Sequence, residues 1–221
     1  MAPELPRLPR VKVCGLTRAE DVRAALEAGA DALGFVHHGP SPRSLDAEAA
    51  GMLVEPVPKD VLAVAVMVDP TPAEALAFLR TSGLRALQLC GAEEAEAWRD
   101  FPTTILRRVA VTPEARTEIA RWRGIAAGFV LDHPSGPGGT GAAVDAALAA
   151  ELADVAPCLL AGGLDAKNVG ARVAAVSPAG VDASSRLEST PGIKDHAAVR
   201  AFVRAAQRAI EALDAHQESE A

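Results

Sequence analysis

Aromatic residues make up only 3% of this 221-residue chain, and there is no Tyr at all. A core without them has to be filled by Ala, Val and Leu, which suits buried parallel strands under amphipathic helices. Basic residues are outnumbered, 22 Lys and Arg against 29 Asp and Glu, for a net charge of −7 and a pI near 5.3. That balance argues against a nucleic-acid partner, while leaving room for a small basic pocket that takes an anion. Cysteine is scarce. Cys14, Cys90 and Cys158 cannot all pair and none has metal-ligand spacing, so neither a disulfide framework nor a metal centre is expected. An odd count with no export signal reads as a reduced, cytoplasmic protein. The N-terminus, MAPELPRLPR, has three prolines and no apolar h-region. Long apolar runs are missing too: the longest, Val61 to Val68, is far too short to span a bilayer. A soluble protein with no membrane partner is expected.

What is present is an alternation. Short apolar runs start at Val11, Ala32, Val61, Ala86, Thr104, Gly128, Cys158 and Gly180, and each is followed by a helical pattern. Thr17-Arg18-Ala19-Glu20 and Thr71-Pro72-Ala73-Glu74 both read as capping boxes that open helices. Short helices are expected at Asp46–Val54, at Glu93–Arg99, from Thr112-Pro113, along Val144, Leu148 and Leu152, and over roughly Lys167–Ala175. The last helix carries Val199, Phe202, Val203, Ala206, Ile210 and Leu213 on one stripe. Eight βα units imply an α/β fold, a closed (β/α)₈ barrel in a single domain over residues 11–214. Residues 1–10 read as an irregular tail and 215–221 as a frayed one. A doubly wound open sheet is the alternative architecture.

In such a barrel, chemistry gathers where strands end. The stretch FVLDHPSGPGGTG, Phe129 to Gly141, takes an apolar run to Asp132 and then to a loop whose glycines let a ligand approach the backbone closely. Cys14 ends the first strand, and the two residues can face each other across the barrel mouth. A thiol and a carboxyl can act as base and acid if their surroundings suit. Position alone favours a small buried hydrophobe at 14 and allows a cap at 132. Gly162-Gly163 and Ser184-Ser185 close strands seven and eight, the barrel positions that most often hold phosphate, with a short helix dipole behind. Two ordinary turns would look the same. Asp69 and Arg108 read as structural polar groups of the rim.

The segments KVCGLT at 12–17, SPR at 41–43, LQLCG at 87–91, LDHPSGPGGTG at 131–141, LAGGLDAKNV at 160–169 and GVDASSRLES with GIKD to 195 resemble phosphoribosylanthranilate isomerase. They span nearly the whole chain in order. That family is a (β/α)₈ barrel of tryptophan biosynthesis, an aromatic amino-acid pathway. The resemblance implies an Amadori rearrangement of N-(5-phosphoribosyl)anthranilate to 1-(2-carboxyphenylamino)-1-deoxyribulose 5-phosphate, with no metal or organic cofactor. It implies that Asp132 is the general acid that opens the ribose ring and that Cys14 is the general base that takes the C2 proton. Arg43 would meet the anthranilate carboxylate, and Gly139, Gly141, Gly162, Gly163, Ser184 and Ser185 would surround the sugar phosphate. The partner is then a small phosphorylated substrate, and the assembly a monomer or a homodimer.

Four positions depart from the family pattern. Cys90 stands where His is usual, Ser44 where an aromatic follows SPR, Ala146 where Trp closes FDW, and Arg186 where Gly follows the serines. These bear on affinity and substrate breadth more than on reaction type. The histidine-pathway isomerase performs the same rearrangement with Asp at both catalytic positions, so Cys14 speaks against it. A barrel that binds phosphosugars without turnover is the rival of another class. At Arg186 an ordinary backbone is expected, on a short helix that starts after Ser185.

Overall fold

Each apolar run becomes a strand because its β-branched and aliphatic residues are covered on both faces. The strands are β1 (Val11–Cys14), β2 (Ala32–His37), β3 (Leu62–Met67), β4 (Ala86–Leu89), β5 (Thr104–Ala110), β6 (Gly128–Asp132), β7 (Cys158–Leu160) and β8 (Gly180–Ala183). Successive strands pair in parallel, and β8 returns to β1 with Lys12 opposite Asp182, which closes the barrel. The coordinates are a computed structural model that describes residues 8–134 and 143–220.

Strand periodicity sorts the side chains into two cores. Val64, Val66, Ala86, Leu106, Val130 and Leu159 fill the barrel interior beneath Cys14 and Cys90. Their neighbours in sequence, among them Val13, Phe35, Leu87, Ile105 and Leu131, face outward to the helices. The helices are α1 (Ala19–Ala28), α2 (Ala47–Val54), α3 (Pro72–Ser82), α4 (Ala115–Trp122), α5 (Ala146–Ala153), α6 (Val169–Val176) and α7 (His196–Glu220). Buried Trp98, Trp122 and Phe202 make up for the shortage of aromatics by lying where strands meet helices. No helix among the described residues is long and apolar enough to cross a membrane.

The α3 capping box forms as expected, with Thr71 and Glu74 satisfying each other's backbone donors and Pro72 opening the helix. The one at Thr17 does not. Its hydroxyl donates instead to the Gly192 carbonyl at 2.5 Å, and Arg18 takes the N-cap without a side-chain bond. Glu93–Arg99 yields only a 3₁₀ turn, Ala95–Trp98. The Glu93 carboxylate is held by Arg107 and by the backbone N–H groups of Asp69 and Gly91, so it does not serve as a helix opener. Two helices begin later than expected. α4 starts at Ala115, past Thr112-Pro113, and α5 starts after Asp145, whose side chain caps Leu148 N.

Residues 215–220, expected to fray, continue α7. Backbone i→i−4 bonds do not need burial, and the sequence there holds neither Gly nor Pro. A short antiparallel ribbon, β9 (Glu188–Thr190) and β10 (Ile193–Lys194), follows β8 and was not anticipated. Gly192, at φ 86°, makes its turn possible.

Candidate active site

The strand ends enclose a cavity of about 310 Å³ lined by Cys14, Arg43, Gln88, Cys90, Asp132 and Asp182, with Gly162, Gly163, Ser184 and Ser185 on one wall. Seven of the expected site residues therefore converge. Gly139 and Gly141 lie outside the described residues.

Cys14 sits on the floor because its neighbours leave room for it. On β2, Gly34 pairs with Cys14, and a Cβ at Gly34 would come within 2.6 Å of the sulfur. Gly15, at φ 73°, lets Arg43 Cδ and Ser184 Oγ pack where a side chain would stand. Burial pushes the Cys14 thiol above its ordinary value. The cations Lys12 and Lys194 work against that rise, and the Asp182 carboxylate adds to it.

Lys12 lies two residues before Cys14 on the same strand, on the same face, and is fully buried. Its Nζ donates to Asp182 Oδ2 at 2.7 Å. Burial alone would lower the Lys12 ammonium, but the Asp182 carboxylate and the Cys14 sulfur outweigh it and hold it above the usual lysine value. Burial raises the Asp182 carboxyl, with Lys12 opposing. Sequence reasoning passed over this pair. The signal was there in one form: a Lys inside the run VKVC has to face something anionic if that strand is buried on both sides.

Two contacts orient Asp132, and a third fixes its arginine neighbour. Its Oδ1 accepts from His133 N at 2.8 Å, its Oδ2 faces Arg108 Nε at 3.5 Å, and Arg108 Nη2 donates to the His133 carbonyl at 2.7 Å. Arg108 is thus no mere rim group but the neighbour of the expected acid. Asp69 does behave structurally: its Oδ1 accepts from Ala92 N and its carboxylate packs against Gly91.

Arg43 lines the cavity, but two of its five N–H donors are already engaged. Nε and Nη2 bond both oxygens of Glu188 at 2.8 and 2.7 Å. Glu188, on β9, also accepts from Lys194 Nζ at 2.7 Å, and that ammonium donates to the Ser184 carbonyl at 3.2 Å. Burial would raise the Glu188 carboxyl, yet bonds from Arg43 and Lys194 bring it below the usual carboxylate value. The ribbon therefore locks the SPR loop to the end of β8. Nothing in the sequence pattern pointed to Glu188 and Lys194 beyond their place in the family segment.

On the wall expected to hold phosphate, Gly162 and Gly163 have φ of 85° and 64°, a left-handed pair that only glycine adopts freely. Asn168 Nδ2 fixes the Gly163 carbonyl at 2.8 Å. No full helix backs this wall: a 3₁₀ turn, Ser185–Leu187, follows Ser184, and α6 starts only at Val169. The expected helix dipole is correspondingly reduced to a few oriented N–H groups. Arg186 is exposed on that turn. Its backbone is ordinary, since among the described residues only Asp69 and Ser177 have positive φ outside glycine.

The other departures have local readings. Cys90 is buried and its thiol is pushed up to about 12, chiefly by that burial, so it stays neutral. Ser44 accepts from His38 N at 3.1 Å, which closes the loop that carries Arg43. Two buried acceptors on the cavity wall, Gln88 Oε1 and Asp182 Oδ1, have no hydrogen-bond partner among the described residues.

The profile of the N-(5'phosphoribosyl)anthranilate (PRA) isomerase family matches residues 11–205. The N-(5'-phosphoribosyl)anthranilate isomerase of Myxococcus xanthus is 43% identical over 203 residues, covering 90% of this chain and 96% of its own. The crystal structure of phosphoribosyl anthranilate isomerase from Thermus thermophilus superposes with a TM-score of 0.81 at 33% identity, over 90% of this chain and 98% of that one. A second isomerase, solved in complex with reduced 1-(o-carboxyphenylamino)-1-deoxyribulose 5-phosphate, gives 0.80 at 32% identity over the same shares.

Proposed function

This chain belongs to the N-(5'-phosphoribosyl)anthranilate isomerase family, and we propose that Cys14 and Asp132 are the base and acid of its reaction. The reaction is the Amadori rearrangement of N-(5-phosphoribosyl)anthranilate to 1-(2-carboxyphenylamino)-1-deoxyribulose 5-phosphate, in tryptophan biosynthesis. Asp132 gives a proton to the ribose ring oxygen. The C1–O bond breaks, and the nitrogen lone pair forms the C1=N bond of a Schiff base. The Cys14 thiolate then takes the C2 proton. The C2–H electrons form C1=C2, the C=N electrons return to nitrogen, and the resulting enol amine tautomerises to the ketone. Acid and base need opposite starting states, one neutral and one ionised.

The observation that carries this reading is the convergence of thiol and carboxyl, from opposite sides of the barrel, on one cavity with a left-handed Gly162-Gly163 turn on its wall. Backbone N–H groups of that turn and of Ser184-Ser185 hold the phosphate. The Arg43 donors left over from Glu188 meet the anthranilate carboxylate. Ribose hydroxyls supply donors for the unpartnered acceptors on the wall. The cytoplasm is the matching compartment, since all three thiols are free and buried.

The test is turnover of freshly made phosphoribosylanthranilate, followed by loss of anthranilate fluorescence, together with complementation of a tryptophan auxotroph that lacks this isomerase. Turnover with growth supports the reading. Binding of the reduced product analogue without turnover would make this a phosphosugar-binding barrel instead.

A further inference from the structure

The reaction needs a thiolate, yet the thiol lies where an anion is hardest to form. It is almost wholly buried, and Asp182 places a carboxylate nearby. Something has to offset both, and the molecule holds two cations close enough. Lys194 comes from β10, but its ammonium is already shared between Glu188 and the Ser184 carbonyl. Lys12 comes from β1 itself, fully buried, facing inward beside Cys14 and fixed at the far side by Asp182 Oδ2 at 2.7 Å. A charge buried so completely is costly unless paired. A structural role would be met by the Asp182 pair alone, but the ammonium has three donors, and Lys12 is buried on the same face of β1 two residues from Cys14.

We propose that Lys12 is a positioning residue for the base: its ammonium, anchored by Asp182, stabilises the Cys14 thiolate from beneath. Asp182 then has a double part. It holds Lys12 in place and keeps the cation from being neutralised by burial. The other groups around the sulfur do not replace Lys12. Arg43, from the loop after β2, is turned to Glu188. Cys90 on β4 is a neutral thiol. Asp182 on β8 is a carboxylate that opposes an anion, and Asp132 on β6 brings no positive charge. The inference rests on Cys14 as base, but its test is separable from that reading.

The experiment measures the rate of Cys14 alkylation by iodoacetamide against pH, with the site assigned by peptide mass spectrometry, in wild type and Lys12→Met. Loss of a neighbouring cation moves a thiol midpoint up by about one to three pH units. The variant should show that rise, and its kcat near pH 7 should fall at least about tenfold but recover as the pH is raised. KM should change little. Lys12→Met leaves Asp182 unpaired, so the same profile is taken in Lys12→Met/Asp182→Asn, which removes both charges and leaves none buried alone. There the midpoint should still rise, by less. An unmoved midpoint in whichever variant is folded by circular dichroism would overturn the proposal and leave Lys12 a structural cation. Full activity in Cys14→Ala would instead sink the assignment of the base, whatever the alkylation profile shows.

Discussion

Individual side chains carry the chemistry, and their neighbours decide whether they can. In the proposed reading, Cys14 depends on Lys12, on Asp182 and on the space left by Gly34. Gly34→Ala should therefore push the sulfur off its place and lower kcat, even though Ala is a better strand former than Gly. The added Cβ would start 2.6 Å from Sγ. A kcat equal to wild type would show that the thiol has slack. Arg43→Ala should weaken the reduced product analogue by roughly ten- to a hundredfold, since a lost charge-assisted bond is worth about 1.5–3 kcal/mol. Inorganic phosphate should bind about as before. Equal weakening of both ligands in a binding titration would place Arg43 at the phosphate or in the fold. These roles were only partly legible in the sequence. Cys14 and Asp132 stood out because each ends an apolar run. Lys12 and Asp182 did not, because their pairing is across β1 and β8, the seam where the first strand meets the last, and no local pattern spans 170 residues.

Among the elements, the ribbon β9–β10 does the most for the site and was the least visible. Its strands are three and two residues long, too short for a periodicity. Yet Glu188 and Lys194 join Arg43 to the Ser184 carbonyl, and the turn accepts a hydrogen bond from Thr17. That last bond explains why the Thr17 capping box failed: a tertiary partner outcompeted the local one. The α3 box, far from the cavity, had no such competitor and formed as the sequence indicated. Glu188→Gln should accordingly loosen Arg43 and raise KM more than it lowers kcat, with Lys194 left without its carboxylate. Thr71→Ala should cost about 1 kcal/mol of stability in a denaturant melt and leave both kinetic constants alone. If the two variants behaved alike, the ribbon would be scaffold only.

At the scale of the whole molecule, eight alternating units were enough to specify a closed barrel, because each strand buries both faces and each helix one. The termini were less readable, since the charged end of α7 forms a helix that no burial pattern announces. Closure also leaves a charge cluster outside the cavity, built on Asp21. Asp21 on α1 is fully buried and accepts bonds from Arg18, from Lys194 N and from His196 at the start of α7. Burial would raise its carboxyl, but those bonds hold it below the ordinary value. A carboxyl depressed in the folded state stabilises the fold fully above its unfolded value, about 3.9, and that contribution is lost as pH falls through the lower, folded value. Asp21→Asn should therefore lose about 1.5–3 kcal/mol at neutral pH and show a flatter loss of stability below about pH 5. Parallel curves for variant and wild type would mean that Asp21 is not what the acid limb reports.

The central claim is that a thiolate at 14 and an acid at 132 together move the protons. Single-turnover rates for Cys14→Ala and Asp132→Asn, each saturated with phosphoribosylanthranilate, test it most directly, because product release drops out of the measurement. Each variant should keep binding the reduced product analogue within a few-fold of wild type and lose at least about 10²-fold in the chemical step. The double variant should lose little beyond the worse single, since the two residues act in one sequence of transfers. A chemical step that runs undiminished in Cys14→Ala would contradict the account.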